Sequence, residues 1–444
     1  MTSKQRVVVI GGGMAGARLV QQLGRAADAP GRSGHAVTVI GEERHPPYNR
    51  VLLAEVLAGQ YTPDVIALPA PGPDVRRLSG VRAVRVDRDE RRVVCDDGGV
   101  VAYDALVLAT GSNPVLPPVR GLFDEGGPGV ADAGLPEGVH PFRTLDDCAA
   151  LAAAAGPGIR AVVIGGGLLG VSAARALAAR GAQTVLAHQG EHLMERHLDA
   201  TASDLLRAHL AGLGVEVHTE CRVRGLGTGR DGRDGHRTVR SVTLADGYAL
   251  DTDLVVLACG VRPRTGLAHA AGLTVARGVV VDDELRTDDP HVFAIGDCAE
   301  HRGTVYGLAG PAQEQADALA AVLLGRDTAT PRAAPSPTAP PEPAPAGGPY
   351  TGTRALTRLT LAGPGPLDLA AFGETVPRPD DDVVHLADAT RGAYRKVVVR
   401  GDRLVGGILL GDLGTVGALA RTWEGDEPLP SAPLLHLLTN DGGL

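Results

Sequence analysis

The amino-acid sequence contains one design twice, namely an apolar run, a glycine-rich turn and a stretch rich in alanine and leucine. The glycines of the two GxGxxG turns are Gly11, Gly13 and Gly16 in the first copy and Gly165, Gly167 and Gly170 in the second. A short apolar run before such a turn is typical of a buried parallel strand, and the stretch after it is typical of a helix. The chain is therefore predicted to be an α/β protein with two dinucleotide-binding halves.

Each turn suits a dinucleotide for the same physical reason. The first glycine permits a tight turn, the second lets the backbone approach a pyrophosphate, and the third lets the helix pack closely on the strand. The helix N-terminus then offers free amides and a positive dipole end to the anion. The residues predicted to begin these helices are Met14 and Ala15 in the first copy and Leu168 and Leu169 in the second.

The strand that follows each helix ends differently in the two copies. The predicted strand at residues 36–40 is followed by Gly41 and Glu42, which places a carboxylate where a ribose diol needs an acceptor. The predicted strand at residues 183–187 is followed by His188 instead of an acid. A carboxylate there favours NADH and basic residues favour NADPH, so His188 leaves that preference open.

Three further segments accompany the two turns. Residues 106–108 run into Ala109, Thr110 and Gly111, residues 287–295 run into Gly296 and Asp297, and Gly260 opens residues 260–263. Together with the glycine turns, they resemble the pyridine-nucleotide disulfide oxidoreductase superfamily of FAD enzymes across residues 1–326. The resemblance implies two Rossmann-like domains, with FAD in the first, NAD(P)H in the second, and the NAD(P)H domain inserted into the FAD domain.

Within that superfamily, the chain most resembles the FAD/NAD(P)H module of bacterial assimilatory nitrite reductase large subunits and the related electron-transfer subunits of nitrate reductase. The segments that carry this resemblance are residues 45–53, 142–147, 193–199, 395–399 and 404–412. By resemblance, Glu42 contacts the adenosine ribose, the Val84 backbone lies by the adenine, Arg50 and Arg143 lie near the flavin end, Asp297 binds the ribityl hydroxyls and Ala309 lies beside the isoalloxazine ring.

The chain departs from these relatives near the expected junction of flavin and nicotinamide. Relatives carry a glutamate where this chain has Ser172, many carry a serine at Ala54, and ferredoxin-reductase relatives carry a lysine at Glu55. Hydride transfer needs orientation more than an acid, so no residue is assigned as a certain catalytic group. We expect altered pyridine-nucleotide kinetics rather than loss of activity.

The predicted domain organisation follows from the resemblance and from one proline-rich stretch. The FAD domain is expected at residues 1–142 and 264–326, the NAD(P)H domain at 143–263, a Pro/Ala-rich linker at 327–349 and a small α+β interface domain at 350–444. Runs at 383–387, 394–400 and 404–410 predict an antiparallel meander in the last domain. Polar segments at 126–138 and 225–237 are interpreted as surface insertions.

The composition argues against several classes of protein. The net charge of −9 is spread without long blocks, which argues against nucleic acid or a membrane surface as the partner. Lys4 and Lys396 are the lysines, and neither belongs to a GxxxxGK loop. The five cysteines have no CxxC or metal-cluster spacing, so no metal is expected. Without a leader or an apolar run of membrane length, the expected location is the cytoplasm.

These observations predict an enzyme that takes a hydride from NAD(P)H onto FAD and passes the electrons to a separate redox protein. The resemblance implies a siroheme, molybdenum or iron-sulfur protein of nitrite or nitrate assimilation as the acceptor. One alternative is a ferredoxin or rubredoxin reductase serving a monooxygenase. Another is a flavin-binding protein without turnover. The sequence leaves open the acceptor, the preference between NADH and NADPH, and whether the chain forms a homodimer.

Overall fold

A computed structural model describes residues 4–27, 35–123, 134–230, 236–325, 349–362, 365–388, 390–429 and 434–438. The first of its two compact units comprises Met1–Val51, Pro63–Asn113 and Val261–Thr353, and the second comprises Leu52–Thr62, Pro114–Gly260 and Arg354–Leu444. Apart from residue 349, the predicted linker lies outside the described residues, as do residues 126–133 of the first predicted insertion.

In chain order, the strands are β1 Arg6–Ile10, β2 Ala36–Gly41, β3 Arg76–Ser79, β4 Ala83–Asp87, β5 Arg92–Cys95, β6 Val100–Ala102, β7 Ala105–Leu108, β8 Ser112–Pro114, β9 Val139–Pro141, β10 Arg160–Ile164, β11 Gln183–Ala187, β12 Val215–His218, β13 Val223–Arg230, β14 Arg237–Leu244, β15 Ala249–Asp251, β16 Leu254–Leu257, β17 Val261–Pro263, β18 Val279–Val281, β19 Val292–Ala294, β20 Ala299–His301, β21 Leu356–Leu361, β22 Leu367–Gly373, β23 Asp382–Asp388, β24 Ala393–Arg400 and β25 Arg403–Leu410. The helices are α1 Met14–Ala27, α2 Leu53–Leu57, α3 Leu145–Ala154, α4 Leu168–Ala179, α5 Ala200–Gly212, α6 Gly266–Ala270, α7 Ala309–Leu323 and α8 Val416–Gly425, with 3₁₀ turns at Arg50–Leu52, Gly296–Cys298 and Leu434–Leu438. Across these ranges, no helix is long and apolar enough to cross a membrane.

The first unit is built on a parallel sheet with strand order β19-β7-β1-β2-β3. Its central strand β1 is buried because residues 7–10 are continuously apolar. Helices α1 and α7 are joined by Arg18, which donates two hydrogen bonds to Asp317 at 2.7 and 2.8 Å. The carboxyl ends of β1, β7 and β19 meet at one edge of the sheet, which is where ligands bind in folds of this kind.

The second unit repeats this arrangement with a parallel sheet of order β12-β11-β10-β16-β9. Strand β10 is central and leads directly into the second glycine turn and α4. Helix α3 begins with a capping box, in which Thr144 and Asp147 bond each other's backbone amides. The two sheets confirm the predicted α/β class.

A segment interpreted as an insertion is largely a hairpin. Strands β13 and β14 pair antiparallel from Val223 opposite Leu244 to Arg230 opposite Arg237, with residues 231–235 outside the described part. The glycines of this segment interrupt the apolar alternation that would predict a strand. Even so, Leu226 lies in the core of the second unit together with residues of β14. The segment therefore adds a strand and a buried side chain to the second unit.

The C-terminal residues form an antiparallel sheet of order β21-β22-β25-β24-β23. Strands β23, β24 and β25 confirm the predicted meander, and β21 and β22 extend it. Trp423 of α8 packs on Phe372 of β22, with ring centroids 5.2 Å apart. This small core holds the helix on the sheet.

Candidate functional site

The first glycine turn closes tightly against the neighbouring strand. Gly11 has a φ of +117°, and a Cβ added to it would lie 2.0 Å from the carbonyl oxygen of Ala109. A Cβ added to Gly16 would lie 2.1 Å from the carbonyl oxygen of Gly11. Only glycine fits either position, so the turn is fixed by sequence. Helix α1 begins immediately afterwards at Met14, with first-turn amides that have no partner within the helix.

Asp297 lies beside this turn, in the 3₁₀ turn that follows β19. Its Oδ2 accepts a hydrogen bond of 2.8 Å from Ser112 Oγ. The amide of Gly296 donates to Gln315 Oε1 at 2.7 Å, and a Cβ added to Gly296 would lie 3.0 Å from the Cβ of Ala15. The structure thus brings the segments around Ala15, Ser112 and Asp297 together, although they lie far apart in the sequence.

Arg50 faces the same turn. Its guanidinium donates to Glu43 at 2.7 Å and lies 5.0 Å from the centroid of the Tyr48 ring. Burial disfavours its charged form, but Glu43, Tyr48 and Asp297 outweigh that effect and raise the pKa of Arg50. A Cβ added to Gly13 would lie 4.0 Å from a terminal nitrogen of Arg50. A positive charge therefore lies close to the glycine turn and interacts with the Asp297 carboxylate.

Glu42 has a partner that sequence reasoning missed. Arg264 donates to both Glu42 oxygens, and its hydrogen bonding lowers the pKa of Glu42 although burial opposes the shift. The Arg264 backbone is fixed by two bonds of 2.9 Å, in which its carbonyl accepts from Thr110 Oγ1 and its amide donates to the Gly111 carbonyl. Pairing of residues this far apart in sequence leaves no local signal.

The remaining predicted residues of the first unit are Val84 and Ala309. The pairing of β4 with β5 shifts register between Ala83 and Arg85, so Val84 lies at a bulge. A bulged residue is left out of the ladder, which leaves its backbone groups for other partners. Val84 is also exposed. Ala309 is the first residue of α7.

The second glycine turn has the same closure as the first. Gly165 has a φ of +116°, and a Cβ added to it would lie 2.3 Å from the carbonyl oxygen of Ala258. A Cβ added to Gly170 would lie 1.7 Å from the carbonyl oxygen of Gly165. Helix α4 then begins with Gly167 as its N-cap, followed by Leu168 and Leu169. The cap makes no side-chain hydrogen bond, so the first amides are left for an anion.

His188 lies directly against this turn. The amide of Gly166 donates to His188 Nδ1 at 3.1 Å. Its other ring nitrogen, Nε2, is buried and has no hydrogen-bond partner within the described ranges. The proton of the neutral ring is therefore on Nε2, which makes that atom a donor.

Ser172 and Glu55 are both buried in the second unit. Ser172 Oγ donates back to the Leu168 carbonyl at 2.8 Å, so its hydroxyl is used inside α4. Glu55 accepts from Arg175, which is 2% exposed and also donates to the Ala362 carbonyl. Arg175 thus joins α2, α4 and the C-terminal segment. Sequence reasoning missed it because its partner lies 120 residues away.

Two further predicted residues lie at the edges of second-unit elements. The carbonyl of Gly260, just after β16, accepts from the Val115 amide at 2.9 Å. Arg143 lies between β9 and α3, where its amide donates to Asp147 at 3.0 Å. Backbone groups of Gly260 and Arg143 make these hydrogen bonds, and the bonds hold the two residues at the border of the parallel sheet.

The thiols near these sites are poorly suited to nucleophilic chemistry. Burial raises the pKa of Cys298 and raises that of Cys259 to about 11. A raised pKa keeps the thiol protonated and unreactive. In the described part of the chain, no three or more His, Cys, Asp or Glu side chains are grouped to hold a metal ion.

Comparison with known proteins gives consistent matches. Residues 5–316 match the family described as "Pyridine nucleotide-disulphide oxidoreductase", and residues 358–422 match "Rubredoxin NAD+ reductase C-terminal domain". The chain is 34% identical over 413 residues to "Nitrite reductase [NAD(P)H]" of Bacillus subtilis, covering 92% of this chain and 46% of that protein. It is 33% identical over 413 residues to "Assimilatory nitrate reductase electron transfer subunit" of the same organism, covering 92% and 48%.

A solved structure covers almost the whole chain. The crystal structure of the covalent putidaredoxin reductase-putidaredoxin complex superposes with a TM-score of 0.79 at 24% identity, covering 98% of this chain and 99% of the matched chain. This likeness shows the fold. The chain spans less than half the length of the two curated relatives, so their full activities do not transfer directly.

Proposed function

This chain belongs to the pyridine nucleotide-disulphide oxidoreductase family, and we propose that it is an FAD-dependent NAD(P)H oxidoreductase that passes electrons to a separate redox protein in nitrite or nitrate assimilation. The observation that carries the proposal is the repeated closure of the two glycine turns, each against the carbonyl of a neighbouring strand. Two dinucleotide sites in one chain suit a flavin that is reduced by a nicotinamide.

The residues of the first unit fit FAD. The turn at Gly11 leaves amides of α1 for a pyrophosphate, and the Asp297 carboxylate next to it suits the ribityl hydroxyls. Arg50 supplies positive charge at the same place. When bound, FAD supplies the chemistry, in which it accepts a hydride from the nicotinamide and releases the electrons to the acceptor.

Other residues of this unit hold the cofactor's adenosine end in the proposal. Glu42 is the acceptor for the ribose diol, and Arg264 fixes the orientation of its carboxylate. The bulge at Val84 offers backbone groups to the adenine. Ala109, Thr110 and Gly111 contribute by closing the turn and holding Arg264. At the flavin end of the cofactor, Ala309 begins helix α7, whose N-terminus favours negative charge on the isoalloxazine ring.

The second unit binds and orients NAD(P)H in the proposal. The turn at Gly165 and the start of α4 bind its pyrophosphate, and Gly260 keeps the border of the sheet clear of side chains. Ser172 carries no acidic group, and its hydroxyl is bonded inside α4. The contribution of the chain to hydride transfer is thus orientation rather than proton transfer.

A second candidate function has its own support. The match of residues 358–422 to the C-terminal domain of rubredoxin reductases favours a ferredoxin or rubredoxin as the acceptor. The acidic Glu55, bonded to Arg175, stands where ferredoxin-reductase relatives carry a lysine, which weighs against it. We therefore rank nitrite or nitrate assimilation first.

An acceptor panel tests this order. Purified chain with NADH and ferricyanide should turn over, and nitrite alone should not be reduced, because its reduction to ammonia takes more electrons than one flavin stores. Adding a siroheme nitrite reductase protein should yield ammonia faster than ferredoxin or rubredoxin is reduced. Ammonia formation by the chain alone, or preferred reduction of rubredoxin, would contradict the proposal.

A further inference from the structure

Backbone hydrogen bonds hold the segment around Met194, which follows β11, against the second glycine turn. The amide of Met194 donates to the Gly166 carbonyl at 2.9 Å, and the amides of His197 and Leu198 donate to the Met194 carbonyl at 2.7 and 3.0 Å. Met194 has a φ of +53°, a left-handed conformation that is uncommon for a residue other than glycine. Glu195, the next residue, is therefore held beside the turn although its side chain is exposed.

The His188 ring is fixed against the same turn. A Cβ added to Gly166 would lie 2.7 Å from the ring carbon Cγ, so the ring packs on the glycine backbone. Because Nδ1 accepts from the Gly166 amide, Nε2 carries the proton and can only donate. That donor is buried without a partner in the described part of the chain, an arrangement that calls for an acceptor.

The surroundings of Gly190 show that a carboxylate lies near this donor. A Cβ added to Gly190 would lie 2.2 Å from Glu195 Oε2 and 2.8 Å from His188 Nε2. The carboxylate and the ring donor therefore border the same α-carbon. Backbone bonds of 2.8 and 2.9 Å, from Cys221 to the His188 carbonyl and from Glu220 to the Gly190 carbonyl, hold this strand end in place.

We propose that Glu195, positioned by His188, accepts the 2′-hydroxyl of the adenosine ribose of the nicotinamide nucleotide, and that this chain therefore prefers NADH to NADPH. The inference rests on the proposed function for its substrate. Strand β11 is followed by His188 rather than by an acid, so the carboxylate that selects a 2′-hydroxyl comes from the segment around Met194 instead. The same carboxylate repels a 2′-phosphate, while Arg196 is the exposed neighbouring cation that would attract one.

Steady-state kinetics with ferricyanide test the preference. The ratio of kcat/KM for NADH to that for NADPH should exceed one and should fall about tenfold or more in Glu195→Gln, since a charge-assisted bond is lost and a repulsion removed. His188→Ala should lower the ratio in the same direction through the position of Glu195. Glu191→Gln, an exposed carboxylate on the same loop, is the matched control and should leave the ratio unchanged.

Binding of ADP-ribose and of its 2′-phosphate, measured by calorimetry, separates this inference from the proposed function. Loss of ADP-ribose affinity in Glu195→Gln supports the inference even if no flavin is reduced. A wild-type preference for NADPH that is lost in Arg196→Ala overturns it, and so does a nucleotide ratio that Glu195→Gln leaves unchanged.

Discussion

Lys396 of β24 donates a hydrogen bond of 2.9 Å to Oδ2 of Asp199, the residue that caps α5. Tyr394 OH donates to the same oxygen at 2.8 Å, while Oδ1 accepts from the Ala202 amide at 3.0 Å. Burial opposes ionisation of Asp199, but these hydrogen bonds prevail and lower its pKa. One carboxylate thus begins a helix of the second unit and anchors the C-terminal sheet to it.

Replacing Lys396 tests this anchor. Lys396 is 8% exposed, so Lys396→Met should reduce the free energy of unfolding by about 1.5–3 kcal/mol, the usual contribution of a hydrogen bond to a charged group. The exposed Lys4 offers a matched control, and Lys4→Met should change stability little. Urea unfolding measures both. Equal stabilities of the two variants would contradict the anchor.

The same carboxylate makes stability depend on pH. Since the folded pKa of Asp199 lies below its unfolded value of about 3.9, its stabilising contribution is complete above that value and is lost as the pH falls through the folded pKa. The stability difference between wild type and Lys396→Met should therefore shrink on acidification. Unfolding of both proteins across acidic pH measures it, and a constant difference would rule out the linkage.

The ion pair between Arg175 and Glu55 predicts that the stability losses of substitutions at the two residues are not additive. Arg175→Met leaves Glu55 buried without its charge partner and should cost about 3–5 kcal/mol of stability. The double variant Arg175→Met/Glu55→Gln should recover much of that loss, because no unpaired charge remains. A double-mutant cycle of thermal unfolding checks both statements. Additive losses would show that the pair is not coupled.

Asp297 predicts a selective loss of flavin. Asp297→Ala removes the carboxylate proposed for the ribityl hydroxyls and should weaken FAD binding by about 1.5–3 kcal/mol. Asp283, which pairs with Arg302 in the same unit, provides the control. Flavin absorbance per chain after gel filtration measures retention. Full retention in Asp297→Ala, or equal loss in Asp283→Ala, would refute the assignment.

Local signals made parts of this architecture predictable. The turns at Gly11 and Gly165 could be identified because the backbone approaches its neighbour too closely for any side chain. The pairing of Arg264 with Glu42 and that of Arg175 with Glu55 could not, since each joins residues more than a hundred positions apart. Such contacts depend on the completed fold.

Tyr350, the residue after the predicted linker, also makes contacts that the sequence alone does not predict. The sequence assigns it to the C-terminal domain, yet its ring packs in the core of the first unit, 4.8 Å from the His301 ring. Its amide donates to the Asp283 carbonyl at 2.7 Å. A single aromatic residue after a proline-rich stretch carries no pattern that reveals which core it joins.

Anaerobic titration of the purified protein with NADH tests the central claim most directly. The account predicts a yellow protein with about one FAD per chain, whose flavin absorbance is bleached by about one equivalent of NADH and restored by ferricyanide. Bound flavin whose absorbance stays unchanged with excess NADH and NADPH would contradict it, and would indicate a flavin-binding protein without turnover.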